Sequence, residues 1–302
     1  MTTDFRPVTE TPGDRVTARA LEMVWTRYRF AADFCPGRDV LEVGCGAGQG
    51  LEFLGRHARR IVGGDYTAAL LEAARQHGAA VPLLRLNAQS LPFMEASFDL
   101  VILYEAVYYL PEPDRFFAEA RRVLRPGGAI IVGTVNPEVP DFNPSPYSHR
   151  YLTGPELAAG LMQCGFDVEV LGAFADDTSS LAARLVSLIK RVAVRFDLIP
   201  KTMKGKEMLK RLFLGRLMTF PAAIDEGMAT YHEPRPIDGR RAPCRVLYAV
   251  GRLPSAALHR EPLSRSESSW PTARRSSIPE STTDATRPSS ITRSSTRWRR
   301  VT

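Results

Sequence analysis

The sequence predicts an α/β protein built on a doubly wound, mainly parallel sheet of seven strands. Three observations carry that reading. Short apolar strands alternate with helical patterns through the first half of the 302-residue chain. One strand, Phe98 to Tyr104, is apolar at nearly every position, as expected for a strand buried on both faces. A turn with four glycines, Gly44-Cys45-Gly46-Ala47-Gly48-Gln49-Gly50, joins the first strand to the helix that follows. An apolar fraction of 44% is enough for a sizeable core.

The elements follow in order. Residues 1–18 are polar, contain Pro7, Pro12 and Gly13, and read as loosely ordered. From Arg19 to Phe34, Leu21, Val24, Trp25, Tyr28, Ala31 and Ala32 recur at three- and four-residue steps, which predicts a helix. Cys35-Pro36-Gly37 ends it. Asp39 to Val43 is the first strand, and the next helix begins at Ala47 with Leu51, Phe53 and Leu54 as its apolar positions. A second strand, Arg60 to Gly64, runs into Asp65-Tyr66-Thr67. Thr67 opens a helix to Gln76. A third strand, Val81 to Leu86, ends at Asn87-Ala88. The fourth is Phe98 to Tyr104. Asp114 to Leu124 is helical until Arg125-Pro126-Gly127-Gly128 breaks it, and Ala129 to Thr134 is the fifth strand. Thr153 and Glu156 form a capping box that starts a helix to Cys164. Phe166 to Leu171 and Arg245 to Val250 complete the sheet.

Between the last two strands lies a helical insertion, residues 172–243. Leu181, Leu185, Leu188, Ile189, Val192 and Phe196 make one apolar stripe, with Arg184, Arg191 and Arg195 on another face. Lys204 to Leu217 is a second helical stretch. The folded domain is therefore expected over residues 19–253. After Leu253 Ser occurs 12 times in 49 residues and no apolar period survives, so residues 254–302 read as a disordered Ser/Arg-rich tail.

The net charge of +7 suggests nucleic acid until it is located. The tail carries nine arginines against four acids, a net of +5, which leaves only +2 for the rest. No run of 18 apolar residues predicts a membrane span, and Met1 to Phe5 starts no secretion leader. Cys35, Cys45, Cys164 and Cys244 match no zinc spacing and read as reduced thiols, so no metal is expected and the compartment is cytoplasmic.

The turn narrows the ligand. Glycines permit tight backbone angles and let a ligand lie against the chain, and the helix start beyond offers free N–H groups. The dinucleotide fingerprint needs glycine at its sixth position, which here is Gln49. What stands instead is Glu42-x-Gly44-x-Gly46-x-Gly48. That pattern resembles the first motif of class I S-adenosyl-L-methionine (SAM) dependent methyltransferases, which have a Rossmann-like fold. The resemblance extends through Asp65, 21 residues after Gly44, then Asn87-Ala88, Leu91-Pro92-Phe93, Phe98-Asp99-Leu100-Val101 and Leu124-Arg125-Pro126-Gly127-Gly128. It spans residues 38–135, with a looser likeness to Gly251. The family usually has Asp where Asn87 stands; an amide carbonyl can still accept from an adenine amine.

The resemblance implies a cofactor set: Tyr28, Glu42, Gly44, Cys45, Gly46, Asp65, Tyr66, Asn87, Ala88 and Tyr104. In it Asp65 holds the ribose hydroxyls, Tyr66 packs on adenine, Glu42 lies by the methionine amine, and Tyr28 contacts the methionine end. Methyl transfer to a hydroxyl also needs a group that takes its proton. His149, Glu105 and Tyr109 are the catalytic candidates, beside Tyr108; His232 ranks behind them. The Asn/Asp-Pro-Pro-aromatic motif of nucleic-acid amino-methylating enzymes is absent, since Tyr104-Glu105-Ala106-Val107 occupies its place. The expected function is methyl transfer to a small molecule, most simply an oxygen of a sugar, lipid-linked or secondary metabolite. The alternatives are a nucleic-acid methyltransferase and a non-catalytic SAM-binding regulator. Ten Lys and Arg against Asp197 and Glu207 between Arg184 and Arg216 suit an anionic acceptor or peripheral contact with a membrane surface.

Overall fold

A central sheet runs through the protein in the order β4-β3-β2-β5-β6-β10-β7-β9. The computed structural model describes residues 4–78, 80–175, 217–237 and 244–255. All of them fall in one compact unit, Met1–Arg260. The strands are β2 (Asp39–Val43), β3 (Arg60–Asp65), β4 (Leu83–Arg85), β5 (Phe98–Tyr104), β6 (Leu124–Val135), β7 (Asp167–Ala175), β9 (Arg235–Pro236) and β10 (Cys244–Arg252). From β4 to β6 every pairing is parallel. β10 runs antiparallel to both β6 and β7. The expected seven strands are thus present, with two-residue β9 added at the edge. Pro236 lies in it, where a missing N–H leaves no gap in a ladder.

Helices cover both faces. They are α1 (Ala18–Ala32), α2 (Leu51–His57), α3 (Ala68–Gln76), α4 (Pro113–Val123) and α5 (Gly154–Gln163). Strand alternation divides the core. Leu100, Ile102 and Tyr104 of β5 pack with Trp25, Tyr28 and Phe53 on the α1–α2 side. Val101 and Leu103 pack with Phe116, Phe117, Leu157 and Leu161 on the α4–α5 side. The Thr153–Glu156 capping box is formed.

Four differences from the sequence reading matter most. α2 starts at Leu51 rather than Ala47, because Gly46 (φ 57°) and Gly48 (φ 79°) are left-handed and cannot be helical. β6 begins at Leu124, paired with Phe98, and bulges before Leu100 meets Ala129. β7 continues to Ala175, four residues into the expected insertion. Its two expected helices lie outside the described residues. Within 217–237, Phe220 and Ile224 are buried against the α1 side, and Met228, Ala229 and Tyr231 pack there too.

The fourth difference is the N-terminus. Residues expected to be loose form a 3-10 turn (Arg6–Val8) and a two-residue strand, β1 (Arg15–Val16). β1 pairs with β8 (Met218–Thr219), and the Gly13 N–H donates to the Phe220 carbonyl at 2.9 Å. This segment is held by partners some 200 residues away, which no local pattern reveals.

Candidate functional site

The site is built at the carboxyl ends of β2, β3 and β5. After β2 the chain turns through Gly44 (φ 72°), Gly46 and Gly48, all in the left-handed region. The Gly44 and Cys45 N–H groups donate to the Gly64 carbonyl at 2.7 and 3.0 Å, which ties the turn to β3. A side chain on Gly44 would touch the Ala106 Cβ at 3.0 Å, so the turn is flush with the loop after β5.

Two buried carboxylates flank this turn. Glu42 is 1% exposed. Its Oε1 accepts from the Tyr28 hydroxyl at 2.8 Å, and its Oε2 is buried with no partner. Burial pushes its pKa up to about 7, against the opposing pull of the Tyr28 hydrogen bond. Asp65 Oδ2 accepts from the Gly46 N–H at 2.9 Å and Oδ1 from the Thr67 N–H at 2.7 Å. Burial raises its pKa too, although these N–H donors pull it back.

Tyr28 reaches Glu42 only because residue 50 is glycine. A Cβ there would lie 1.8 Å from the Tyr28 ring. The sequence displayed Gly50, but its partner is a tyrosine 22 positions upstream, so its role could not be read locally. Cys45 is buried, and burial raises its thiol pKa well above the ordinary value; it is an inert part of the turn. Tyr66 presents a half-exposed ring with the Arg85 guanidinium 5.9 Å from its centre. Asn87 is exposed, with its Oδ1 accepting from the Gln89 N–H at 3.0 Å, and Ala88 is buried. The Tyr104 hydroxyl donates to the Arg27 carbonyl at 2.9 Å and its ring packs edge-on to Tyr28, so it braces the site.

These residues fit SAM. The orphaned Glu42 Oε2 suits an ammonium group, because a buried carboxylate oxygen without a partner is costly until one arrives. The Asp65 carboxylate can accept from hydroxyls, the glycine backbone admits close approach, and the Tyr66 ring offers a flat face.

The catalytic candidates meet beside this set. Glu105 sits just past β5 at φ 50°, a strained angle for a residue with a side chain. Its Oε1 pairs with Arg27 Nη2 at 2.9 Å and its Oε2 accepts from the Tyr108 hydroxyl at 3.1 Å. Both oxygens are thus engaged, and Glu105 ties Arg27 to Tyr108. Arg27 was not anticipated; it reaches Glu105 from α1 across 78 positions. Tyr109 donates to Ser145 Oγ at 3.1 Å, and burial raises its pKa, so it remains a neutral hydroxyl at pH 7. His149 is exposed, and its backbone N–H donates to the Tyr108 carbonyl at 2.8 Å, which ties its loop to the site. His232 lies elsewhere, its Nε2 3.1 Å from Glu22 Oε2 on α1.

The N-terminal segment crosses the front of the site. The Phe5 ring centre is 6.2 Å from that of Tyr66, 5.0 Å from Tyr109 and 6.4 Å from Tyr147. Gln49 Nε2 donates to the Glu10 carbonyl at 3.2 Å, and a Cβ on Gly46 would lie 3.5 Å from the Thr9 methyl. No group of His, Cys, Asp and Glu among the described residues could hold a metal ion.

Comparison with known proteins agrees with this geometry. Residues 41–132 match a family model described as a methyltransferase domain. The chain is similar to a protein of Mycolicibacterium smegmatis named as a probable S-adenosylmethionine-dependent methyltransferase. They are 37% identical over 175 residues, 54% of this chain and 67% of that one. It is also 37% identical over 106 residues to the ubiquinone biosynthesis O-methyltransferase of Hahella chejuensis, covering 33% of this chain and 44% of that one. Among solved structures it resembles a SAM-dependent methyltransferase, possible histamine N-methyltransferase, of Thermotoga maritima. The TM-score is 0.52 at 16% identity, over 78% of this chain and 91% of that one, a likeness of fold alone. With the glycine turn, its paired acids and these relatives together, the chain belongs to the class I SAM-dependent methyltransferases, with S-adenosylmethionine as the methyl donor.

Proposed function

We propose that the protein methylates an oxygen of a small-molecule acceptor, a sugar, lipid-linked or secondary metabolite. One observation carries the reading: an aromatic cluster stands beside the glycine turn. Tyr108 stacks on Tyr151 at 4.4 Å, Tyr109 and Tyr147 face the Phe5 ring, and the N-terminal segment crosses the front. Aromatic surroundings of this kind suit a compact acceptor better than a nucleic-acid strand, which needs a basic groove along its backbone. The O-methyltransferase relative supports the choice of oxygen.

When bound, SAM supplies a methyl group already activated by its sulfonium. The chain's own task is to hold the acceptor in line and keep water out. Glu42, oriented by Tyr28, would hold the ammonium end, and Asp65 the ribose. Glu105 fixes Arg27 and Tyr108 around the acceptor. His149 takes the acceptor proton, and Tyr109 orients the acceptor through its neutral hydroxyl. The Arg- and Lys-rich stretch between Arg184 and Arg216 favours an anionic acceptor and peripheral contact with an anionic membrane face in the cytoplasm. No helix among the described residues is long and apolar enough to cross a membrane.

Isotope-labelled SAM incubated with pools of small molecules, lipids and nucleic acid tests the proposal. Label in a small-molecule or lipid fraction, lost in His149→Ala while SAM affinity persists, supports it. Label in nucleic acid, or turnover unchanged in His149→Ala, overturns the acceptor class or the base respectively.

A further inference from the structure

The opposite end of the sheet holds a second concavity. A cavity of about 450 Å³ is lined by Gly37, Arg38, Arg59, Asp99, Arg125 and the Pro126–Gly128 turn. It lies at the amino ends of β2, β5 and β6. The five residues of β2 separate it from the glycine turn by about 16 Å at about 3.3 Å per residue. It therefore shares no wall with the cofactor site.

Its charge is unbalanced. Asp39 accepts from Arg59, Arg60 and Arg125 at 2.8–3.1 Å. Asp99 pairs with Arg125 Nη1 at 2.8 Å and lies 3.6 Å from Arg59. The lining itself carries three guanidinium groups, Arg38, Arg59 and Arg125, against one carboxylate, Asp99; Asp39 and Arg60 lie just behind it. The Arg59 and Arg60 side chains are 59% and 61% exposed, so they can turn toward a new partner without unburying. Arg38 Nη1 is buried and makes no hydrogen bond. Arg38 lines the cavity, and none of its side-chain nitrogens is held by a carboxylate of the network, so its charge is not neutralised there.

We propose that this cavity is a binding site for a diphosphate-bearing anion. Two linked phosphates match two surplus guanidinium groups, and arginine forks recognise phosphate oxygens in pairs. The cavity is within the usual size of small-ligand sites.

The test is calorimetric titration of the full chain with inorganic pyrophosphate, with S-adenosylhomocysteine present at saturation to fill the cofactor site. Expected is one-site binding that sodium chloride at equal ionic strength does not reproduce. Arg38→Gln and Arg59→Gln should each weaken it about tenfold or more, the effect of losing a charge-assisted bond. Both variants should keep the affinity for S-adenosylhomocysteine. Arg59 is largely solvated, so Arg59→Gln reports even if Arg38→Gln fails to fold. No binding at millimolar pyrophosphate, binding that chloride reproduces, binding that S-adenosylhomocysteine displaces, or affinity unchanged in Arg59→Gln would each overturn the site.

Discussion

Asp39 and Glu42 are three residues apart on one strand, both almost fully buried, and their chemistry has been driven in opposite directions. Asp39, at the amino end of β2, is ringed by arginines, and the Arg59 hydrogen bond leads in holding its pKa below the usual carboxylate range. Glu42, near the carboxyl end, has one hydroxyl for a partner and burial lifts its pKa to about 7. Asp65 and Asp99 repeat the contrast: the first is raised by burial, and the second is lowered by the Asp39 N–H and Arg125 against the cost of burial. At the amino end of the sheet the carboxylates are satisfied by arginines of the fold. At the carboxyl end Glu42 keeps one oxygen without a partner.

The largest expected effect concerns Glu42. The folded protein keeps its proton up to about pH 7, whereas the unfolded chain releases it near 4.5. Between those values the folded state binds more protons, so stability falls as pH rises through that window and levels off above it. The cost is about 3 kcal/mol. Melting curves of the ligand-free protein should show the decline, Glu42→Gln should remove it, and SAM affinity should rise over the same window as the carboxylate ionises. A decline that survives in Glu42→Gln would assign it to another group. Asp39 has the opposite sign: its contribution is present above the ordinary carboxylate range and is lost as pH falls into it.

Next, Asp65→Ala should weaken SAM binding by about 1.5–3 kcal/mol, the range for hydrogen bonds to a charged group, with the fold intact. Unchanged affinity by calorimetry would remove Asp65 from the cofactor set. The mirror experiment is Asp39→Ala. It should lower stability by about 1–3 kcal/mol and leave SAM affinity alone. If it weakened SAM binding as strongly as Asp65→Ala, the two ends would not be separate.

A smaller effect is expected for Tyr28→Phe. Losing the hydroxyl leaves both Glu42 oxygens unpartnered, so the midpoint of the stability decline should move to higher pH. At pH values where Glu42 is neutral in both proteins, the difference should shrink to about 1 kcal/mol or less. The smallest is for a chain ended after Ser255, which should keep its melting temperature and SAM affinity. Ending it before Leu253 should not, because the Leu253 N–H and Pro254 carbonyl bond to Gly128 and Gly127 at 2.9 and 3.1 Å.

What the sequence revealed follows from the range of each interaction. Glu42, the three left-handed glycines and Asp65 lie on consecutive strand–turn units, so their order alone pointed to one end of the sheet. The strand and helix alternation was equally local. Arg27 on Glu105, Tyr28 over Gly50 and Phe5 against Tyr109 are contacts between distant segments, and none leaves a period or spacing behind. Two-residue β1 and β8 are too short to carry an alternation. Boundaries shifted where a backbone angle overruled composition, as at Gly48 before α2.

The path of the N-terminal segment has a practical side. Phe5 lies among Tyr66, Tyr109 and Tyr147, so anything fused ahead of Asp4 is delivered to the side proposed for the acceptor. Ser255 lies against Gly127, at the far end of the sheet. An affinity handle or immobilisation linker attached after Ser255 therefore leaves the acceptor side clear. The same handle at the front competes with whatever must enter, and turnover measured on such a fusion would understate the enzyme.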